Sequence, residues 1–217
     1  MIVVVAGGHG QIALRLAKEL SDRGHEPIGL LRNPDQVPDL ERNGARGEVL
    51  DLEHTTVDEL SAIVTGADVV VFAAGAGPGS GAARKESVDR AGAVLLADAA
   101  EQAGVRRYVM VSAMGAEDAD PESNDVFQVY LRAKAAADAD LRGRDLDWTI
   151  VRPGSLTDDA PTGRVDLGPD RPRGKVSRAD VATVLAEMIT TRSGIRKQVD
   201  LVSGKVPVAE AVASVKD

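Results

Sequence analysis

The chain has 217 residues, enough for one α/β domain with a self-sufficient core, and no cysteine, which excludes disulfides, thiol nucleophiles and thiolate metal sites. Lysine and arginine number 26 against 34 aspartates and glutamates, a net charge of −8 spread along the chain. With only one tryptophan, two tyrosines and two phenylalanines, it offers neither the basic surface nor the stacking platform that nucleic-acid binding needs.

In chain order, short β-branched runs alternate with longer amphipathic ones. Residues 2–5 are continuously apolar, the pattern of a strand buried on both faces. They are too few for a signal h-region or a membrane span, so the expectation is a soluble, cytoplasmic protein with no membrane partner. The spacing over Gln11–Asp22 puts Ile12, Leu14, Leu16, Ala17 and Leu20 on a helix that Gly24 ends. Residues 27–31 read as strand two, 33–41 as a weak helix interrupted by Pro34 and Pro38, and 46–50 as strand three. Val57–Val64 reads as a helix and 68–73 as strand four. A long helix is predicted over 84–103, stopped by Gly104, with strand five over 105–112. Val126–Arg142 is helical, and 147–151 is strand six, closed by Pro153. Residues 177–190 form a helix with Ser177 as N-cap and Asp180 three residues on, resembling a capping box. A last strand falls at 198–202. Residues 154–175, rich in Gly, Pro, Asp and Arg, break the rhythm and are expected to loop over the carboxyl edge of the sheet, where substrate would sit.

Strand–helix alternation at this spacing implies right-handed crossovers and an α/β, doubly wound, mostly parallel sheet with helices on both faces. The expected strand order is 3-2-1-4-5-6, with ligand at the switch point beyond strands one and four. One domain spans 1–217, with 154–176 as a substrate-side loop and 203–217 as a C-terminal appendage.

The first strand–helix junction carries the sharpest motif. Gly7, Gly10 and Ala13 stand at G-x-x-G-x-x-A spacing between a strand and a helix. Glycine is wanted where the chain turns sharply and where backbone must approach phosphate, and a small third residue lets helix pack on strand. The helix N-terminus, with Gln11 and Ile12 in its first turn, offers free N–H groups and a positive dipole to a pyrophosphate. That is a dinucleotide site on a Rossmann fold. An NAD site has an acidic residue about 20 residues further on, at the end of strand two. Here that place holds Arg32, which suits the 2′-phosphate of NADP, while Asp35 lies close enough to leave NAD open. Asp51 and Leu52 follow strand three, where a carboxylate could accept from an adenine amine. Ala73, Ala74 and Gly75 end strand four, and their small side chains would admit a ribose.

Together with Val88–Gly92 as a run (Val88, Asp89, Arg90, Ala91, Gly92), Tyr108 to Ser112, Tyr130-x-x-x-Lys134 and Thr149 to Gly154, these residues resemble the atypical short-chain dehydrogenase/reductases. The resemblance is to the NAD(P)H-binding group that includes NmrA-like, epimerase-like and flavin/biliverdin reductase-like proteins, and it runs over roughly residues 2–203. Tyr130 and Lys134 are one turn apart on a helical face that is otherwise mostly apolar. A lysine there needs a partner, and a cofactor ribose could be one. The resemblance implies that Tyr130 is the proton donor, that Lys134 favours its phenolate and holds the ribose, and that Ser112 orients a substrate carbonyl. It also implies that Pro153, Gly154 and Ser155 lie near the nicotinamide. The function so implied is hydride transfer between NADP(H) and a small carbonyl or hydroxyl compound. Two alternatives stay open: a non-catalytic NADP-binding regulator of the NmrA-like kind, and a flavin or quinone reductase needing Ser112 but not Tyr130. His9 sits in the glycine turn, and neither His25 nor His54 has ligand spacing, so no metal is expected. Nothing in the sequence assigns an oligomeric state.

Overall fold

The computed structural model describes residues 1–77 and 79–215. Its strands and helices follow in the order β1 (Ile2–Ala6), α1 (Gln11–Asp22), β2 (Glu26–Leu31), α2 (Val37–Arg42), β3 (Arg46–Val49), α3 (Val57–Val64) and β4 (Val69–Phe72). Then come α4 (Ala82–Arg84), α5 (Gly92–Ala103), β5 (Arg107–Val111), α6 (Val126–Arg142) and β6 (Asp147–Pro153). The chain closes with β7 (Ser155–Thr157), β8 (Arg164–Gly168), β9 (Lys175–Ser177), α7 (Arg178–Thr190), β10 (Lys197–Ser203), β11 (Val206–Pro207) and α8 (Val208–Ser214).

The main sheet has nine strands in the order β11-β8-β10-β6-β5-β4-β1-β2-β3, so the expected six-strand order is present and extended on one side. From β3 to β10 every pairing is parallel; β8 joins β10 antiparallel, and β11 joins β8. Alternation of side chains splits the apolar strands between two cores. Val3 and Val5 of β1, Val69 and Val71 of β4 and Val109 of β5 enter the face covered by α1 and α7. Val4, Ala6, Val70, Phe72, Tyr108 and Met110 enter the face covered by α3, α5 and α6. Each fully buried Val, Leu or Phe of this kind contributes roughly 1.5–3 kcal/mol.

The structure corrects several boundaries. Pro34 and Pro38 do not interrupt a helix: Pro34 opens a 3₁₀ turn (Pro34–Gln36) and Pro38 stands in the first turn of α2, where a missing N–H costs nothing. Strand five starts at Arg107, because Gly104 in the left-handed region (φ 74°) lets Val105 N–H close back on Ala100 O at 2.8 Å. The long helix over 84–103 is not uniform, for Lys85–Ala91 forms a π-helical segment between α4 and α5. The stretch 154–175 is not a plain loop. Ser155–Thr157 pairs with Lys175–Ser177 in a separate two-stranded sheet, and Arg164–Gly168 enters the main sheet.

Asp180 explains part of that order. Its N–H is capped by Ser177 Oγ (3.0 Å), but its carboxylate, instead of reaching back to the N-cap backbone, accepts from Thr162 N (3.1 Å) and Gly163 N (2.8 Å). The expected C-terminal appendage, 203–217, contains the end of β10, β11 and α8. Val208, Ala211 and Val212 of α8 are buried in the core behind α7. Lys216 and Asp217, the end of that expected segment, lie outside the described residues.

Candidate functional site

The glycine turn connects β1 to α1 at the switch point, where β4 lies on one side of β1 and β2 on the other. Gly7 has φ +80°, and a Cβ there would meet Ala74 Cα at 2.5 Å, so only glycine fits both the torsion and the gap. Gly8 is held as tightly, since its Cβ would lie 2.6 Å from Gly29 Cα. Gly10 is the N-cap of α1 and has no side chain to cap it, which leaves first-turn N–H groups for a ligand.

A cavity of about 550 Å³ opens beside this turn, within the roughly 300–1,000 Å³ span of small-molecule sites. Gly7 and Gly10 line it from the turn, Arg32 from the end of β2, Asp51 and Leu52 from beyond β3, and Ala73, Ala74 and Gly75 from beyond β4. Gln11 and Ile12 stand outside its wall, Gln11 exposed and Ile12 packed against the core. His9 also lines the cavity and is held by Asp39 at 2.7 Å. Asp51 accepts from Glu53 N–H and from His54, both at 3.0 Å. Burial opposes its charge, but these hydrogen bonds outweigh burial and hold the carboxyl below its ordinary value.

Two residues absent from the sequence reading reshape this end of the cavity. Glu53 lies 3.8 Å from Arg32 and 2.6 Å from Arg84, and accepts from Ser87 Oγ at 2.6 Å. Those donors hold its carboxyl low. The corner therefore carries two guanidinium groups and two carboxylates, Glu53 and Asp51, where Arg32 and Asp51 were expected.

A second cavity, about 340 Å³, lies beyond the carboxyl ends of β5 and β6. It brings Ser112, Tyr130, Pro153, Gly154 and Ser155 together, residues up to 43 positions apart in sequence (155 minus 112). Lys134 reaches backbone beside both cavities. Its Nζ donates to Val111 O (3.2 Å) and Ala74 O (3.4 Å), one residue before Ser112 and in the first cavity's wall respectively.

Lys134 does not wait for a ribose to neutralise it. Asp89, fully buried in the π-helical segment, stands 3.5 Å from Nζ, and both side chains are at most 4% exposed. Asp89 also accepts from Ala76 N–H at 3.1 Å. Burial pulls the Lys134 ammonium below its ordinary pKa, with Asp89 and Asp138 pushing the other way. Tyr130 packs its ring 5.9 Å from Lys134 Nζ and 5.4 Å from Lys85 Nζ, and stacks on Phe127 at 6.0 Å. Burial raises its phenol above the ordinary value, and Asp89 and Asp138 add to the rise. Burial first, and then the two carboxylates, hold Tyr130 in its phenol form.

Ser112 is also committed otherwise than expected. Its hydroxyl donates to Asp138 Oδ2 at 2.7 Å, so its single proton faces away from a substrate carbonyl and its lone pairs remain. Asp138 is 1% exposed, its Oδ1 has no hydrogen-bond partner among the described residues, and burial pushes its carboxyl up to about 6. One signal for it lay in the sequence. Tyr130, Lys134 and Asp138 recur every four residues on the buried face of α6, so an acid stands where the apolar stripe calls for a hydrophobe. Lys85 and Asp89 had no such signal, because the π-helical pitch that turns them inward is not written in any local pattern. Among the described residues no group of three or more metal-ligating side chains gathers.

A family model described as NAD(P)H-binding matches residues 7–192. A Bacillus subtilis protein named an uncharacterized sugar epimerase is 34% identical, covering 98% of this chain and 99% of its own. The solved structure of a Bacillus halodurans protein, provisionally assigned as an NAD-dependent epimerase/dehydratase, superposes with a TM-score of 0.91 at 37% identity, over 99% of each chain. An oxidoreductase from Lactococcus lactis superposes with a TM-score of 0.87 at 30% identity, covering 99% of this chain and 96% of that one. The glycine cradle and these matches agree: the chain belongs to the NAD(P)H-binding family and has its Rossmann fold.

Proposed function

We propose that this chain is an NADP-dependent oxidoreductase that reduces a small carbonyl compound, with Tyr130 as the proton donor. The observation that carries the reading is the position of Lys134 between two cavities. Its Nζ hydrogen-bonds Ala74 O in the wall of the cleft at the glycine turn and Val111 O, one residue before Ser112 of the smaller cavity, and stands 5.9 Å from the ring of Tyr130. NADPH held at the glycine turn would supply a hydride to the carbonyl carbon, and the oxygen, left with the C=O π pair, would take the phenolic proton of Tyr130.

The protein's own groups are set for that direction. Tyr130 is held protonated by burial and by Asp89 and Asp138, so it starts as an acid. Ser112, with its proton given to Asp138, fixes the wall by accepting rather than donating, which leaves Tyr130 as the donor to the oxygen. At the other end, Arg32 and Arg84 line the cleft beside Glu53 and Asp51, and their guanidinium N–H groups are the donors that suit a 2′-phosphate.

The test has two arms. Titration with NADPH and NADH should show NADPH bound more tightly, with Arg32→Gln weakening NADPH about tenfold and leaving NADH unchanged. Against a panel of aldehydes and ketones, Tyr130→Phe should abolish NADPH consumption while retaining NADPH binding. Full turnover by Tyr130→Phe would remove the proton-donor role, and failure of either nucleotide to bind would remove the whole reading.

A further inference from the structure

The cavity beside Tyr130 has an uneven lining. Among the described residues its only charged side chains are Arg173 and Arg178, and no carboxylate lines it. Arg178 opens α7 and is tethered by Asp158 at 3.0 Å; Arg173 precedes β9 and is met by Asp118 at 3.2 Å. Asp158 and Asp118 are 62% and 72% exposed, so each tether is a solvent-screened contact that a ligand anion can replace at small cost. The cavity also has apolar side chains in its lining. Met114, Phe127 and Leu156 line it, and Phe127 and Leu156 are left 60% and 39% exposed at its mouth. In a protein of net charge −8, two cations focused on one small cavity beside an exposed aromatic are a selective arrangement.

We infer that the substrate is an anion: a compound whose apolar or aromatic carbonyl-bearing part rests on Phe127 and Leu156 and whose carboxylate or phosphate is held by Arg173 and Arg178. The inference rests on the reductase reading for the word substrate, but the anion site stands on the cavity's own residues. Guanidinium groups bind either anion through paired N–H donors, so the shared chemistry is an oxyanion at the arginine end.

The experiment uses three probes of one shape, 4-formylbenzoate, 4-formylphenyl phosphate and the uncharged 4-formylbenzamide, with the full chain and saturating NADP⁺. Calorimetry gives binding, and loss of nicotinamide absorbance with NADPH gives turnover. At least one anion should bind about tenfold more tightly than the amide, and the preference should shrink as salt rises. Arg173→Gln and Arg178→Gln should each remove most of that preference and leave amide binding within about twofold. Arg173 is 76% exposed and Arg178 half-buried, and thermal unfolding of each variant checks that the fold is retained. Asp158→Asn, which frees Arg178, should retain or strengthen the preference. Equal binding of anions and amide, or equal losses for both in the arginine variants, would overturn the inference. Arginine-dependent anion binding with no NADPH consumption would uphold the anion site and remove the reductase reading. Equal consumption with anion and amide would do the reverse.

Discussion

Asp138→Asn isolates the buried charge behind Ser112. The Asp138 carboxyl has an ordinary value of 3.8 and is pushed to about 6 by burial. Because the folded value is the higher one, the native protein holds an extra proton between these two pH values. Stability therefore falls as pH rises through that window and stays lower above it. A rise of about two pKa units at 1.36 kcal/mol each makes the ionised carboxylate cost about 3 kcal/mol at neutral pH. The asparagine amide is nearly isosteric, and by donating to Ser112 Oγ it preserves the 2.7 Å contact with the roles exchanged. Lys134 loses one of two neighbouring carboxylates, but Asp89 remains 3.5 Å away, so part of the gain is offset. The expected net is a stabilisation of about 1–3 kcal/mol at about pH 7.5, or a melting temperature roughly 3–10 °C higher for a chain this long. At about pH 2.5, below both values, the two proteins should be equally stable, since the carboxyl is then protonated in both folded and unfolded chains. Urea unfolding of both proteins across this pH range measures the difference. A variant destabilised by more than about 1 kcal/mol, equally at both pH values, would show that the carboxylate is not held against its preference.

Other perturbations follow from the same structure. Lys134→Met strands Asp89 without its partner and should cost about 3–5 kcal/mol, while adding Asp89→Asn should restore most of it in a denaturant series. Loss of activity in Lys134 variants is then interpretable only beside their stability. Gly7→Ala sets a side chain against Ala74 at a positive φ and should cost about 1–3 kcal/mol, with the thermal shift by NADPH abolished. Thr56→Ala removes a complete capping box at the start of α3, where Thr56 and Glu59 cap each other's backbone. It should lower stability by about 1 kcal/mol and leave nucleotide titrations unchanged.

The reading from residues and the structure part company at identifiable places. Apolar runs such as Val3 to Val5 and Val69 to Phe72 announce buried parallel strands, because a strand covered on both faces needs hydrophobes at every position. Gly7 and Gly10 announce the phosphate turn, because backbone torsion and close approach are local demands. Residues 154–175 were less legible. Their order depends on Asp180 reaching Thr162 and Gly163, a bond between positions 17 and 18 apart that composition does not reveal.

The site shows the same division. Sequence by itself determined which residues stand at the carboxyl ends of the strands, since chain order and sheet order together place Ser112, Pro153 and Gly154 there. It determined that Tyr130 and Lys134 share a helix face. Only the tertiary structure decided what those groups face. Asp89 arrives from the π-helical segment and Asp138 from one turn further along α6, and their charges leave Tyr130 protonated and turn the Ser112 proton inward. The physical reason is range. Torsions, turns and periodicity are set by neighbours in the chain, whereas the protonation of a buried group is set by every charge within a few ångströms, whichever part of the chain brings it.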